Sequence, residues 1–105
     1  MRIVADAGPL LSFARAHRWD LLQAVVGELV IPDAVYEEIV LQGAGKPGAD
    51  EVQQTSWIRR ARIQDQTFTD QLPQKLHKGE REAITLAREI SGVLLVDEQA
   101  VRQEA

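Results

Sequence analysis

Short apolar runs alternate along the chain with stretches whose apolar residues recur at helical spacing, the pattern of an α/β domain. Ile3 and Val4 are β-branched, stand in a run too short for a helix, and are closed by Gly8-Pro9, so they read as a strand. Pro9 suits a first helical turn, where its missing N–H is no loss, and Leu10, Leu11, Phe13 and Ala14 form an apolar stripe. Asp20 with Gln23 three residues on reads as the capped start of a second helix, with Leu21, Leu22, Val25 and Val26 turned inward and Gly27 at its end. Residues 28–32 predict a second strand stopped by Pro32. Residues 33–41 predict a helix with Val35, Tyr36, Ile39 and Val40 on one side and Gly43 just past it. Residues 49–54 can make a short helix, and 56–63 read as a third strand with Trp57 as anchor. The polar, punctuated stretch 64–73 reads as loop. Lys78 opens a last helix with Ala83, Ile84, Ala87 and Ile90 on its apolar face; Gly92 ends it, and 93–96 form an unbroken apolar strand of the kind buried in a parallel sheet.

The first and last of these strands both run into a carboxylate, Asp6 and Asp97-Glu98. An aspartate at the tip of a buried strand is costly unless a metal or another cation offsets its charge. The competing reading of Asp6 is a cap on the helix opening at Pro9, and the two stand even. In open parallel sheets the strand tips share one edge, where ligands collect, so Asp6 and Asp97 converge if their strands are neighbours. Glu80 projects onto the apolar side of its helix and would reach the same edge, whereas Glu82 projects to the flank. Glu37 and Glu38 flank the stripe of their own helix almost symmetrically, and periodicity does not choose between them. Clustered carboxylates cannot all stay ionised without cations, and an oxygen-only ligand set selects Mg²⁺ or Mn²⁺. The chemistry implied is metal-assisted attack on a phosphate ester.

Composition narrows this picture. With 105 residues, 45% hydrophobic and 27% charged, the chain fits a single globular domain with one core. It has no cysteine, which removes disulfides and thiolate metal sites. A formal net charge of -4 means that nucleic acid would be met by local basic patches rather than by overall attraction. Neither a signal peptide nor a membrane span is visible, and a cytoplasmic protein is expected. Arg59, Arg60 and Arg62 crowd one strand; they can meet RNA phosphate or guard a sheet edge against pairing, with equal weight. His17 sits at a helix corner and is assigned no chemistry. Residues 43–48 match G-x-G-x-x-G but follow a helix rather than a strand, so they read as a flexible loop.

Five segments taken together resemble the PIN-domain nucleases, in particular the small prokaryotic branch close to VapC-type toxins. They are Val4-Ala5-Asp6-Ala7-Gly8-Pro9-Leu10, Ile31-Pro32-Asp33-Ala34-Val35-Tyr36-Glu37-Glu38-Ile39, Gly45-Lys46-Pro47-Gly48-Ala49, Gly79-Glu80-Arg81-Glu82-Ala83-Ile84 and Leu94-Leu95-Val96-Asp97-Glu98. The resemblance implies a three-layer α/β fold with a central parallel sheet of about four strands flanked by helices. It also implies a metal-dependent ribonuclease using Mg²⁺ or Mn²⁺, with Asp6, Glu38, Glu80 and Asp97 at the acidic positions and Asp6, Glu80 and Asp97 as metal ligands. Glu82 and Glu98 stand as substitutes or supporting groups. Two features depart from the family's pattern: Ala7 and Gly8 replace the usual hydroxyl residue after the first aspartate, and the chain stops at Ala105 where relatives continue, which suggests a C-terminally truncated domain. An open apolar strand edge would then favour a homodimer, and the resemblance adds an antitoxin as partner. A receiver domain would need a lysine at the end of a late strand, and a haloacid-dehalogenase-type phosphatase would need D-x-D; neither is present. The remaining alternative is a catalytically silent binding module acting through protein association.

Overall fold

The computed structural model describes residues 2–96. Strands β1 (Ile3–Ala5), β2 (Leu29–Pro32), β3 (Ile58–Ala61) and β4 (Val93–Leu95) form one sheet in the order β3-β2-β1-β4, with every pairing parallel. The helices are α1 (Ala7–Arg15), α2 (Trp19–Val26), α3 (Asp33–Tyr36), α4 (Ala49–Gln54), α5 (Gln66–Gln71) and α6 (Lys78–Glu89). Beyond Tyr36, α3 runs on as a wider π-helical stretch, Glu37–Gln42.

Successive side chains of a strand face opposite sides, and here both sides are covered. Ala5, Leu29 and Ile31 join Leu10, Leu22, Val35 and Ile39 in the larger core. Val4, with Val30, Ala61 and Leu94, packs on Ala83 and Leu86 of α6 in the smaller one. Two buried faces explain why β1 and β2 read as apolar runs, and they give the three-layer α/β fold expected from the sequence; 93–96, read as a buried strand, is instead an edge on which Val93 and Val96 are exposed. The short stretch 49–54 is a helix as read, with Glu51 Oε1 accepting from the Gly48 N–H at 3.2 Å.

Several local expectations are corrected. Residues 64–73 are not a loop throughout. Asp65 accepts from the Phe68 N–H at 2.9 Å and starts α5, which docks on α6 through a 2.7 Å hydrogen bond between the Thr69 and Thr85 hydroxyls. Helix α2 starts at Trp19 rather than at a cap on Asp20, because Trp19 is held from outside: its Nε1 donates to Thr55 Oγ1 at 3.0 Å and its ring lies 5.5 Å from that of Trp57. Leu22 and Val26, one turn apart, face the core, while Leu21 and Val25 are 40% and 70% exposed. The third strand is shorter than 56–63. The last helix stops at Glu89, and Ser91 rather than Gly92 takes the left-handed backbone, with φ 53°.

Candidate active site

Asp6 follows β1 directly, and β1 is the strand at which the sheet order reverses, with β2 on one side and β4 on the other. Ligands in parallel sheets bind in the crevice outside such a reversal. The register pairs Ala5 with Leu95, and the Asp6 N–H reaches the Leu95 carbonyl at 3.5 Å, so β1 and β4 present their C-terminal ends together. Asp97, read from the sequence as the partner of Asp6 at this edge, and Glu98, read as a substitute or supporting group, lie outside the described residues.

The capping reading of Asp6 is correct as far as it goes. Asp6 is the N-cap of α1, and its Oδ1 accepts from the Ala7 N–H at 2.7 Å. The same oxygen lies 3.5 Å from where a β-carbon on Gly79 would stand; Glu38 Oε1 lies 3.3 Å from that point and Val35 Cγ2 also 3.3 Å. Gly79 occupies the first turn of α6, a place where alanine would favour the helix, and the missing side chain is what lets two carboxylates close over that turn. Glycine at position 79 was readable as an oddity in a helix start, but its role depends on what packs over it.

Glu38 and Glu37 are thereby separated. Glu38 joins Asp6, while Glu37 Oε1 turns the other way, 3.7 Å from Arg60 Nη2. A π-helical turn advances less than 100° per residue, so a projection at 100° could not have distinguished them.

On α6 the expected faces are reversed. Glu82 is 6% exposed, and its Oε1 accepts from the Ala34 N–H at 3.0 Å, satisfying a first-turn donor of α3. Glu80 is half-buried. The helix packs against the sheet through Ala83 and Leu86, against α3 through Glu82 and against α5 through Thr85, so the stripe of Ala83, Ile84, Ala87 and Ile90 is not its whole contact face. Glu80 still acts on the site through its charge. Burial raises the Asp6 carboxyl from 3.8 to about 6, the charges of Glu80 and Glu38 push it the same way, and the Ala7 N–H and His77 pull it back in part. His77 precedes α6 as its N-cap residue and was not singled out from the sequence.

Among the described residues, no three acidic or histidine groups are gathered closely enough to hold a metal ion. Asp6 and Glu38 form an oxygen-only pair, and burial together with neighbouring carboxylates opposes the ionised form of Asp6. A divalent cation at Asp6 relieves both costs, so the carboxylates around Asp6 fit such an ion.

Of the arginines on β3, Arg60 is engaged. Its Nε lies 2.8 Å from Asp33 Oδ1, and its guanidinium stands 4.3 Å from the centre of the Tyr36 ring. Arg62 is exposed, 3.8 Å from Asp33 Oδ2, and Arg59 is exposed as well. Arg59 and Arg60 lie on the edge strand, where charge discourages pairing between sheets, whereas Arg62, expected on the same strand, stands just past its end.

A family model, DUF3368, described as a PIN domain, matches residues 2–105. The chain belongs to the PIN-domain family. PIN domains are commonly nucleases and typically use divalent metal ions. Neither the curated proteins nor the solved structures yield a match to this PIN domain. Among its described residues, no helix is long and apolar enough to cross a membrane.

Proposed function

We propose that this PIN domain is a cytoplasmic, Mg²⁺- or Mn²⁺-dependent endoribonuclease that hydrolyses RNA phosphodiester bonds, and that it is the toxin of a toxin-antitoxin pair. The observation that carries the reading is the convergence of Asp6 and Glu38 on Gly79 at the edge where β1 and β4 end. Asp6 and Glu80, together with Asp97, would hold the cation. When bound, such an ion neutralises charge on the phosphate and makes the attacking water more acidic. The N–H of Ala7 fixes the Asp6 carboxylate in orientation. Glu38 faces the same space and is the base that accepts the proton of the attacking water. As the new bond to phosphorus forms, the bond to the leaving ribose oxygen breaks. Glu82, tied to Ala34, supports α3 and α6 from beneath rather than touching substrate.

The test is cleavage of single-stranded RNA by the purified chain in millimolar Mn²⁺ or Mg²⁺. Activity is expected to vanish in excess EDTA, to vanish in Asp6→Asn, and to fall by about 10²-fold or more in Glu38→Gln. Equal cutting in EDTA, or an Asp6→Asn variant with full activity, overturns the proposal. One observation favours a second reading, a catalytically silent module that binds a protein partner at its open edge: Val93 and Val96 are exposed on the β4 side. That reading predicts no cleavage under any metal, with partner binding unaffected by Asp6→Asn.

A further inference from the structure

A cleft of about 320 Å³ opens beside Glu38, between α1, the π-helical stretch and the loop before α4. Leu11, Ile39 and Pro47 supply apolar lining, and Arg15, Gln42 and Lys46 supply polar lining. Arg15 and Lys46 are exposed and make no ion pair among the described residues, so neither cation is neutralised in the way Arg60 is. Glu38 lines the cleft, and its Oε1 also lies over Gly79 as Asp6 Oδ1 does, so one residue is shared between the cleft and the acidic pair.

We infer that this cleft takes one unpaired nucleotide of a single-stranded RNA, adjacent to the phosphate presented to the acidic pair. The inference rests on the reading of that pair as a phosphodiester-cleaving centre. Two free cations beside apolar side chains match the two parts of a nucleotide, an anionic backbone and an apolar base face. The volume is at the small end for ligand clefts and suits one nucleotide. A base stacked in a duplex could not enter without being extruded. In a chain of net charge -4, such a local pair of cations is also the kind of patch that nucleic-acid binding requires. The sequence reading gave neither Arg15 nor Lys46 a role, although Lys46 stands in one of the five segments, because each is an isolated cation whereas the arginines of β3 are clustered.

The experiment measures binding of a fluorescein-labelled single-stranded RNA of mixed sequence, and of its duplex, to the full chain in EDTA, followed by cleavage kinetics in Mn²⁺. For the double variant Arg15→Ala, Lys46→Ala, single-strand affinity is expected to fall at least tenfold, and the slope of log K against log salt to flatten by about 1.4. KM should rise with kcat within about twofold, and stabilisation by Mn²⁺ should be kept, because the acidic pair is untouched. Arg18→Ala, which removes one charge outside the cleft, should bind like the parent. Unchanged binding in the double variant, equal affinity for duplex, or loss found instead in Arg59→Ala, Arg62→Ala overturns the inference. If the parent binds through Arg15 and Lys46 but never cleaves, the nuclease reading fails while the cleft stands; if it neither binds nor cleaves RNA, both fall.

Discussion

Asp6 caps a helix and crowds other carboxylates at once, and the two roles separate with pH. Its pKa rises from 3.8 to about 6 in the folded, metal-free chain. A raised folded value means that the stability from the protonated form is fully present below about 3.8 and is lost as pH climbs through about 6. Asparagine caps as well as aspartate but carries no charge. In EDTA at pH 8, Asp6→Asn should therefore be more stable than the parent by on the order of 1–2 kcal/mol, allowing for partial solvent screening, and the gap should close near pH 4. Millimolar Mn²⁺ should raise the melting temperature of the parent and hardly move that of the variant. Thermal melts across pH, with and without metal, check both; an identical metal response would leave Asp6 as a cap alone. Glu82 gives the contrasting case. Glu82→Ala strands the buried Ala34 N–H and should cost about 1–3 kcal/mol in denaturant melts, whereas Glu82→Gln keeps an acceptor and should keep most of the stability and the activity.

At the scale of elements, the first turn of α6 and the π-helical stretch are fitted to each other. An added methyl at position 79 would gain about 0.5–1 kcal/mol of helix propensity but stand 3.3 Å from Glu38 Oε1 and Val35 Cγ2. Those effects offset in stability but not in geometry. Gly79→Ala should leave the melting temperature within a few degrees of the parent, while the Mn²⁺-induced rise shrinks and cleavage falls at least tenfold. A variant with parental cleavage would show that the close approach has no functional weight. Helix α5 illustrates the reverse situation. Its polar residues hid it from periodicity, and what stabilises it is the Asp65 cap and the buried Thr69 to Thr85 hydrogen bond, neither of which leaves a hydrophobic signature.

For the whole molecule, the parallel order β3-β2-β1-β4 makes β3 and β4 the edges among the described residues. Their chemistry differs. The β3 edge carries arginines, which oppose pairing, whereas at the other edge Val93 and Val96 are 50% and 43% exposed. We propose association through the β4 side, and light scattering at high micromolar concentration should return the mass of a homodimer. A monomer under those conditions removes the proposal. An antitoxin binding the acidic edge would instead compete with Mn²⁺ and with RNA.

Local sequence was enough for the two central strands, because Ile3-Val4-Ala5 and Leu29-Val30-Ile31 are apolar on both faces and are buried on both. It was also enough to mark Asp6, since a carboxylate after such a strand carries its electrostatic problem wherever the chain folds. The assignment of roles among neighbouring glutamates was beyond it. Glu37 or Glu38 depends on a helical turn that widens past Tyr36, and Glu80 or Glu82 depends on α6 being packed from three sides rather than one. The cleft of Arg15 and Lys46 joins residues from α1 and a loop 31 positions later, a proximity that no local pattern encodes. Periodicity reports how a segment meets one apolar surface; which polar groups meet one another is decided only when those surfaces are assembled.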